Sequence, residues 1–103
     1  MTKTLTLVPD KTDITQWSLY LVRCANGHLY AGVSTDVERR FAEHQAGGVK
    51  AAKFLRGKGP LELVYQELVG SQGDALRREI AVKKLNRARK LALIGGYKQA
   101  SIE

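Results

Sequence analysis

Three consecutive stretches decide how this chain folds: WSLYLVRC at 17–24, ANG at 25–27 and HLYAGV at 28–33. The outer two are rich in β-branched and aromatic residues, the composition of half-buried strands. Between them, Asn26 and Gly27 tolerate the positive φ that a tight hairpin needs. The two runs therefore pair antiparallel, in one of two registers. A two-residue Asn26-Gly27 turn sets Arg23 opposite Tyr30 and sends Tyr20 and Tyr30 to opposite faces. A three-residue loop with Gly27 as a bulge sets Val22 opposite Tyr30, so that Tyr20, Val22, Tyr30 and Gly32 share a face. Only the second brings the phenols together.

Outward from the hairpin, Thr35 with Glu38 fits a capping box, and Val37 and Phe41 supply the apolar stripe of a helix that ends at Gly47-Gly48. Residues 47–60 form a basic loop closed by Gly57-Lys58-Gly59-Pro60. LELVYQELV at 61–69 alternates as a third strand. After the turn at 70–74, with Asp74 as the N-cap, one long basic helix runs from Ala75 to about Lys90. The expected order is β-β-α-β-α, an α+β fold in which helices flank a small three-stranded sheet. Residues 1–15 read as a flexible arm, 16–95 as the domain and 96–103 as a tail.

A chain of 103 residues holds one such core. Its apolar runs reach only four residues, as at Leu91 to Ile94, too short to cross a bilayer, and the N-terminus carries no secretory pattern. A single cysteine makes no internal disulfide, and with two histidines it is a poor zinc set, so a reduced, cytoplasmic monomer is the expectation. Charge is more informative. Seventeen basic residues against ten acidic ones give +7 and a pI near 9.8, a balance that attracts polyanions. The excess clusters at 37–58 (Arg39, Arg40, Lys50, Lys53, Arg56, Lys58) and at 77–90 (including Lys83, Lys84 and Arg87).

Within the second cluster Glu79 is the lone acid. At 100° per residue it falls between Leu76/Ile80 on one side and Ala75/Val82 on the other, aimed at the packed face. A lone carboxylate there costs several kcal/mol unless it is paired or metal-bound. Lys83, at i+4, offers the plain ion pair. Arg40 and His44 stand four residues apart at the rim of the first helix, either as surface decoration or as part of a site. Tyr20 and Tyr30 are ordinary strand residues unless the hairpin register joins them.

Taken as an ordered set, Ser18-Leu19-Tyr20, Tyr30-Ala31-Gly32, Arg40, His44 and Glu79 resemble the pattern of the GIY-YIG nuclease superfamily over residues 17–94. The stretches at 29–41 and 56–60 are especially similar to its small stand-alone bacterial branch, the YhbQ-like proteins. The resemblance implies a nuclease using one divalent ion, Mg²⁺ or Mn²⁺. It implies Glu79 as the metal ligand, Arg40 as the clamp on the scissile phosphate, one of Tyr20 and Tyr30 as an aid to deprotonating water, and His44 as a polar site position. A tyrosine of pKa about 10 is a poor base unless cations depress it, and Arg23, Arg40 and the metal are the candidates. The chain departs from the pattern at Ser18-Leu19, Ala31 and Val33, and Asn86 lies on the Glu79 stripe at a shorter separation than the downstream asparagine of part of the family.

The resulting expectation is a metal-dependent DNA endonuclease or structure-processing nuclease, with Arg39, Lys50, Lys53, Arg56, Lys58, Lys83, Lys84 and Arg87 binding the backbone of DNA or RNA. With no separate recognition domain, shape or single-strand recognition is favoured over sequence readout. Two rivals remain: a nucleic-acid-binding module that cleaves weakly or not at all, and an adaptor for an acidic protein.

Overall fold

The computed structural model describes residues 15–102; the expected arm, but for Thr15, lies outside them. Strand β1 (Trp17–Arg23) lies at the centre of a three-stranded antiparallel sheet, between β2 (Leu29–Ser34) and β3 (Glu62–Gly70). The hairpin takes the bulged register: Val22 pairs with Tyr30 and Tyr20 with Gly32, with Gly27 at φ 91° closing the loop. That positive φ is what glycine supplies and few other residues tolerate.

Alternation along β1 divides the core into two layers. On one face Leu19 and Leu21 pack with Ala31, Val64, Val82 and Ile94. On the other Tyr20 and Val22 pack with Cys24, Val37, Leu55 and Leu61. Helix α1 (Val37–Ala46) and a 3₁₀ turn (Lys53–Leu55) cover the second face, while α2 (Gln72–Lys83) and α3 (Arg87–Ile102) cover the first. Among the described residues no helix is long and apolar enough to cross a membrane.

Three local expectations need correction. The α1 cap is Asp36 rather than Thr35: its carboxylate accepts from the Arg39 N–H at 3.1 Å, and Ser34 Oγ accepts from the Asp36 N–H at 2.9 Å. A carboxylate at this position also meets the positive end of the helix dipole. Helix α2 starts earlier than expected, capped by Ser71, whose hydroxyl accepts from the Asp74 N–H at 3.1 Å.

The long basic helix is in fact two. Asn86 Oδ1 accepts from the Arg89 N–H at 2.9 Å, capping α3 after a break at 84–86. Packing explains the break. In one straight helix Val82 and Ile94 would stand roughly 18 Å apart along the axis and about 120° apart around it. Breaking the helix allows both to reach the same core layer, where they are buried to 0% and 4% exposure. Helix α3 then carries the backbone to Ile102, through the stretch expected as a tail.

Candidate active site

The sheet brings the two phenols to one face, their ring centroids 6.5 Å apart. Gly32 makes this possible: a Cβ there would lie 2.5 Å from Tyr20 Oη and 2.6 Å from Cζ, so the tyrosine ring occupies the space a side chain would need. Helix α1 delivers His44 to both rings, at 6.0 Å from Tyr20 and 5.6 Å from Tyr30. His44 is buried, so the rim position expected for it is an interior one. Its tautomer follows from its partners. The Ala52 N–H donates to Nδ1 at 3.2 Å, so the neutral ring carries its proton on Nε2, which donates to Tyr20 Oη at 2.9 Å. Burial, with Arg40 nearby, lowers the His44 pKa against the opposing pull of Glu43.

Arg40 stands beside this group. Its Nη1 donates to Glu43 at 2.8 Å and to the Lys50 carbonyl at 2.6 Å. Glu43 also takes Arg39 at 2.8 Å, so one carboxylate anchors two guanidinium groups. Burial works against the Arg40 charge, but the Glu43 hydrogen bond and the neighbouring phenols outweigh it and hold its pKa above the usual value.

Of the cations that could depress a tyrosine here, Arg40 lowers the Tyr20 pKa without bringing it below the ordinary value. Burial and the neighbouring Tyr30 push its pKa up to about 12, against the lowering pull of Arg40, while Glu79 adds to the rise. The physical reason is access: Tyr20 is 1% exposed, and desolvation penalises a phenolate more than one guanidinium offsets it. Arg23 is no help, since it points to the other face of the sheet and pairs with Glu62 at 3.5 Å.

Glu79 comes from the opposite layer and is partly buried on α2. Its inward aim is set by Ala75 and Val82, both fully buried. Leu76 and Ile80, expected on the packed side, are 41% and 54% exposed. The ion pair to Lys83 forms, at 3.4 Å. The two layers meet at the free edge of β2, where an opening of about 300 Å³ is lined by Tyr30 and Phe54 from one layer and Lys83 and Lys90 from the other, over Leu21, Leu29 and Ala31. Tyr20, Arg40, His44 and Glu79 are not part of its lining.

Several cations expected to meet a nucleic-acid backbone have internal partners. Arg56 donates to the Val49 and Ala51 carbonyls, Lys58 to the Phe54 carbonyl, and Arg87 to the Gly27 carbonyl. Lys50, Lys53 and Lys84 are exposed and do not line the opening. Sequence reasoning missed Glu43 and Phe54. Glu43 was legible at i+3 and i+4 from Arg40 and Arg39; nothing local marked Phe54.

Residues 16–92 match the GIY-YIG catalytic domain. The chain belongs to that family. This GIY-YIG protein is 51% identical over 81 residues to a UPF0213 protein of Cronobacter sakazakii, covering 79% of this chain and 83% of the relative. It is equally identical over 81 residues to the UPF0213 protein YhbQ of Escherichia coli, covering 79% of each. Two solution structures share its fold. One is a UPF0213 protein from Bacillus halodurans, with TM-score 0.50, 39% identity and coverage of 78% and 83%. The other is a protein from E. faecalis, with TM-score 0.53, 29% identity and coverage of 85% and 88%. The GIY-YIG domain is a nuclease domain, so its function class is nuclease-type with a nucleic-acid substrate.

Proposed function

We propose that this GIY-YIG protein is an endonuclease or structure-processing nuclease that hydrolyses phosphodiester bonds, in DNA foremost, with one divalent ion. The observation that carries the reading is the grouping of Tyr20, Tyr30, His44 and Arg40, with the Glu79 carboxylate near enough to act on the Tyr20 phenol. The donor set fits a hard cation. No three His, Cys, Asp or Glu gather among the described residues, so a closed zinc cage has no ligands. Mg²⁺ or Mn²⁺ keeps most of its waters and needs one or two carboxylates. Glu79 supplies one, on exchanging the Lys83 ammonium for the ion. Such an ion, when bound, polarises the phosphoryl oxygens and acidifies a ligated water.

The chain's own groups divide the remaining work. Arg40 clamps phosphate: both of its backbone and carboxylate bonds use Nη1, which leaves Nε and Nη2 for the phenol and a phosphate oxygen. Tyr20, sealed and held by His44, keeps its proton and positions Arg40. Tyr30, on the wall of the opening, touches water and is the phenol that aids its deprotonation. A buried free thiol at Cys24 accords with a reducing, cytoplasmic setting.

One observation favours a second reading, a nucleic-acid binder without cleavage: Arg40 and Glu79 are each already paired, with Glu43 and Lys83. Nicking of single-stranded, branched and duplex DNA in Mg²⁺ or Mn²⁺ separates the two. The nuclease reading expects metal-dependent cleavage that Glu79→Ala abolishes and Tyr30→Phe slows by about a hundredfold, within the range of general-base catalysis. Tyr20→Phe should slow it by less than about tenfold, the loss of one positioning bond. Equal, metal-independent traces from wild type and Glu79→Ala would leave the binder.

A further inference from the structure

We propose that the free edge of β2 carries a binding subsite for one unpaired nucleobase, with Phe54 as its aromatic wall. Phe54 stands on the 3₁₀ turn and is 43% exposed, a large apolar side chain left in solvent beside the candidate site. It is held rather than loose. Its ring stacks with Tyr30 at 5.9 Å and 20°, and with His28 at 6.3 Å and 29°, and Lys58 Nζ lies 4.2 Å from its centroid.

Two openings adjoin along this ladder, of about 300 Å³ and 180 Å³, sharing Leu29, Phe54 and Lys90. The first adds Tyr30 and Lys83; the second adds His28 and Arg87. Neither lining contains a carboxylate. Among the described residues no ion pair engages Arg87 or Lys90. An apolar slot walled by aromatic rings and rimmed by cations fits a flat, π-faced group carrying negative charge, which is the chemistry of a nucleotide. At about 300 Å³, the lower end of small-molecule sites, the opening has room for a base. A base reaches such a slot only if it is already unpaired or is taken out of its stack. Stacking on aromatic rings is sequence-tolerant, so the slot selects strand state rather than sequence.

Tyr30 joins this slot to the proposed catalytic group, since it stacks on Phe54 and meets His44 edge-on at 5.6 Å. The base held here then belongs to a nucleotide flanking the phosphate at Arg40. That placement alone rests on the nuclease reading; the base preference does not.

Binding without metal isolates the subsite. The full-length chain, in EDTA at low salt, is titrated against a fluorescein-labelled 12-residue oligothymidylate and against the same strand with abasic tetrahydrofuran residues, which keeps the phosphates and removes the bases. Wild type should bind the thymidylate roughly five- to a hundredfold more tightly, the worth of one stacked base. Phe54→Ala should erase that preference while leaving abasic affinity unchanged, and Phe54→Trp should keep it. Circular dichroism checks that each variant folds. Equal wild-type affinity for the two strands would overturn the subsite, as would a preference that survives Phe54→Ala. So would competition by polyglutamate as strong as by oligothymidylate, which would mark a plain cationic patch. Loss of metal-dependent cleavage with the base preference intact would instead count against the nuclease reading and leave the subsite standing.

Discussion

At residue scale, two contacts hold the candidate site together. Gly32 is required by the Tyr20 ring rather than by its own backbone angles, because a Cβ would meet both Oη and Cζ. Gly32→Ala should therefore destabilise the domain by about 1–3 kcal/mol, the usual cost of overpacking. Urea denaturation should show the loss relieved by Tyr20→Leu but not by Tyr20→Phe, which retains Cζ at 2.6 Å. His44 adds a pH dependence of definite sign. Its folded pKa is lowered by burial and by Arg40, so between that value and the unfolded value of about 6.5 the unfolded chain binds more protons. The stability that neutral His44 supports is complete above about pH 6.5 and declines as pH falls toward its folded pKa. Thermal midpoints measured from pH 7.5 downward should drop more steeply for wild type than for His44→Gln; parallel curves would mean that His44 is not held neutral.

At the scale of elements, the break between α2 and α3 makes a sharper demand. Asn86→Ala removes the oxygen that accepts the Arg89 N–H and should cost about 1 kcal/mol, the typical value of an N-cap. The measurement is the shift in urea midpoint at unchanged slope. This break was not legible in the sequence, because no Gly or Pro marks 84–86 and lysine, leucine and asparagine all tolerate helix interiors. Only the demand that Val82 and Ile94 share one layer reveals it. The hairpin was legible to the extent of two registers, and the bulged one prevails with Gly27 at φ 91°. The inward aim of Glu79 was legible for half of the right reason: Ala75 and Val82 set it, while Leu76 and Ile80, weighted equally by periodicity, face solvent. The short side chain of Ala75 lets α2 lie close to the sheet, and periodicity counts residues without weighing how near each brings the helix. The raised pKa of Tyr20 was not legible, since the burial that causes it depends on α1 and the sheet closing over it. Phe54 was invisible for a related reason. Its meaning comes from rings on β2 and in the hairpin loop, distant in sequence.

For the whole molecule, the net charge of +7 matters less than where it is left unneutralised. Arg39, Arg40 and Arg78 pair with Glu43 and Glu67, and such exposed or half-exposed pairs take charge out of the far field while adding little stability. Arg87 and Lys90 have no carboxylate partner among the described residues, and Lys83 shares only Glu79, so the free edge of β2 keeps its positive charge, as do Lys50, Lys53, Lys84 and Arg89 elsewhere. If the three cations at the edge meet roughly three phosphates, single-strand affinity should fall with salt at a logarithmic slope of about −2. That is roughly an eighteenfold weakening between 50 and 200 mM salt. Lys90→Ala should flatten the slope by about 0.7, one phosphate contact's worth, and should do so equally for base-bearing and abasic strands, since an ammonium at the rim reads charge and not the ring. Lys50, exposed and absent from the lining of both openings, supplies the control: if Lys50→Ala flattens the slope as much as Lys90→Ala, the attraction is spread over the surface, and the free edge of β2 has no special claim on the strand.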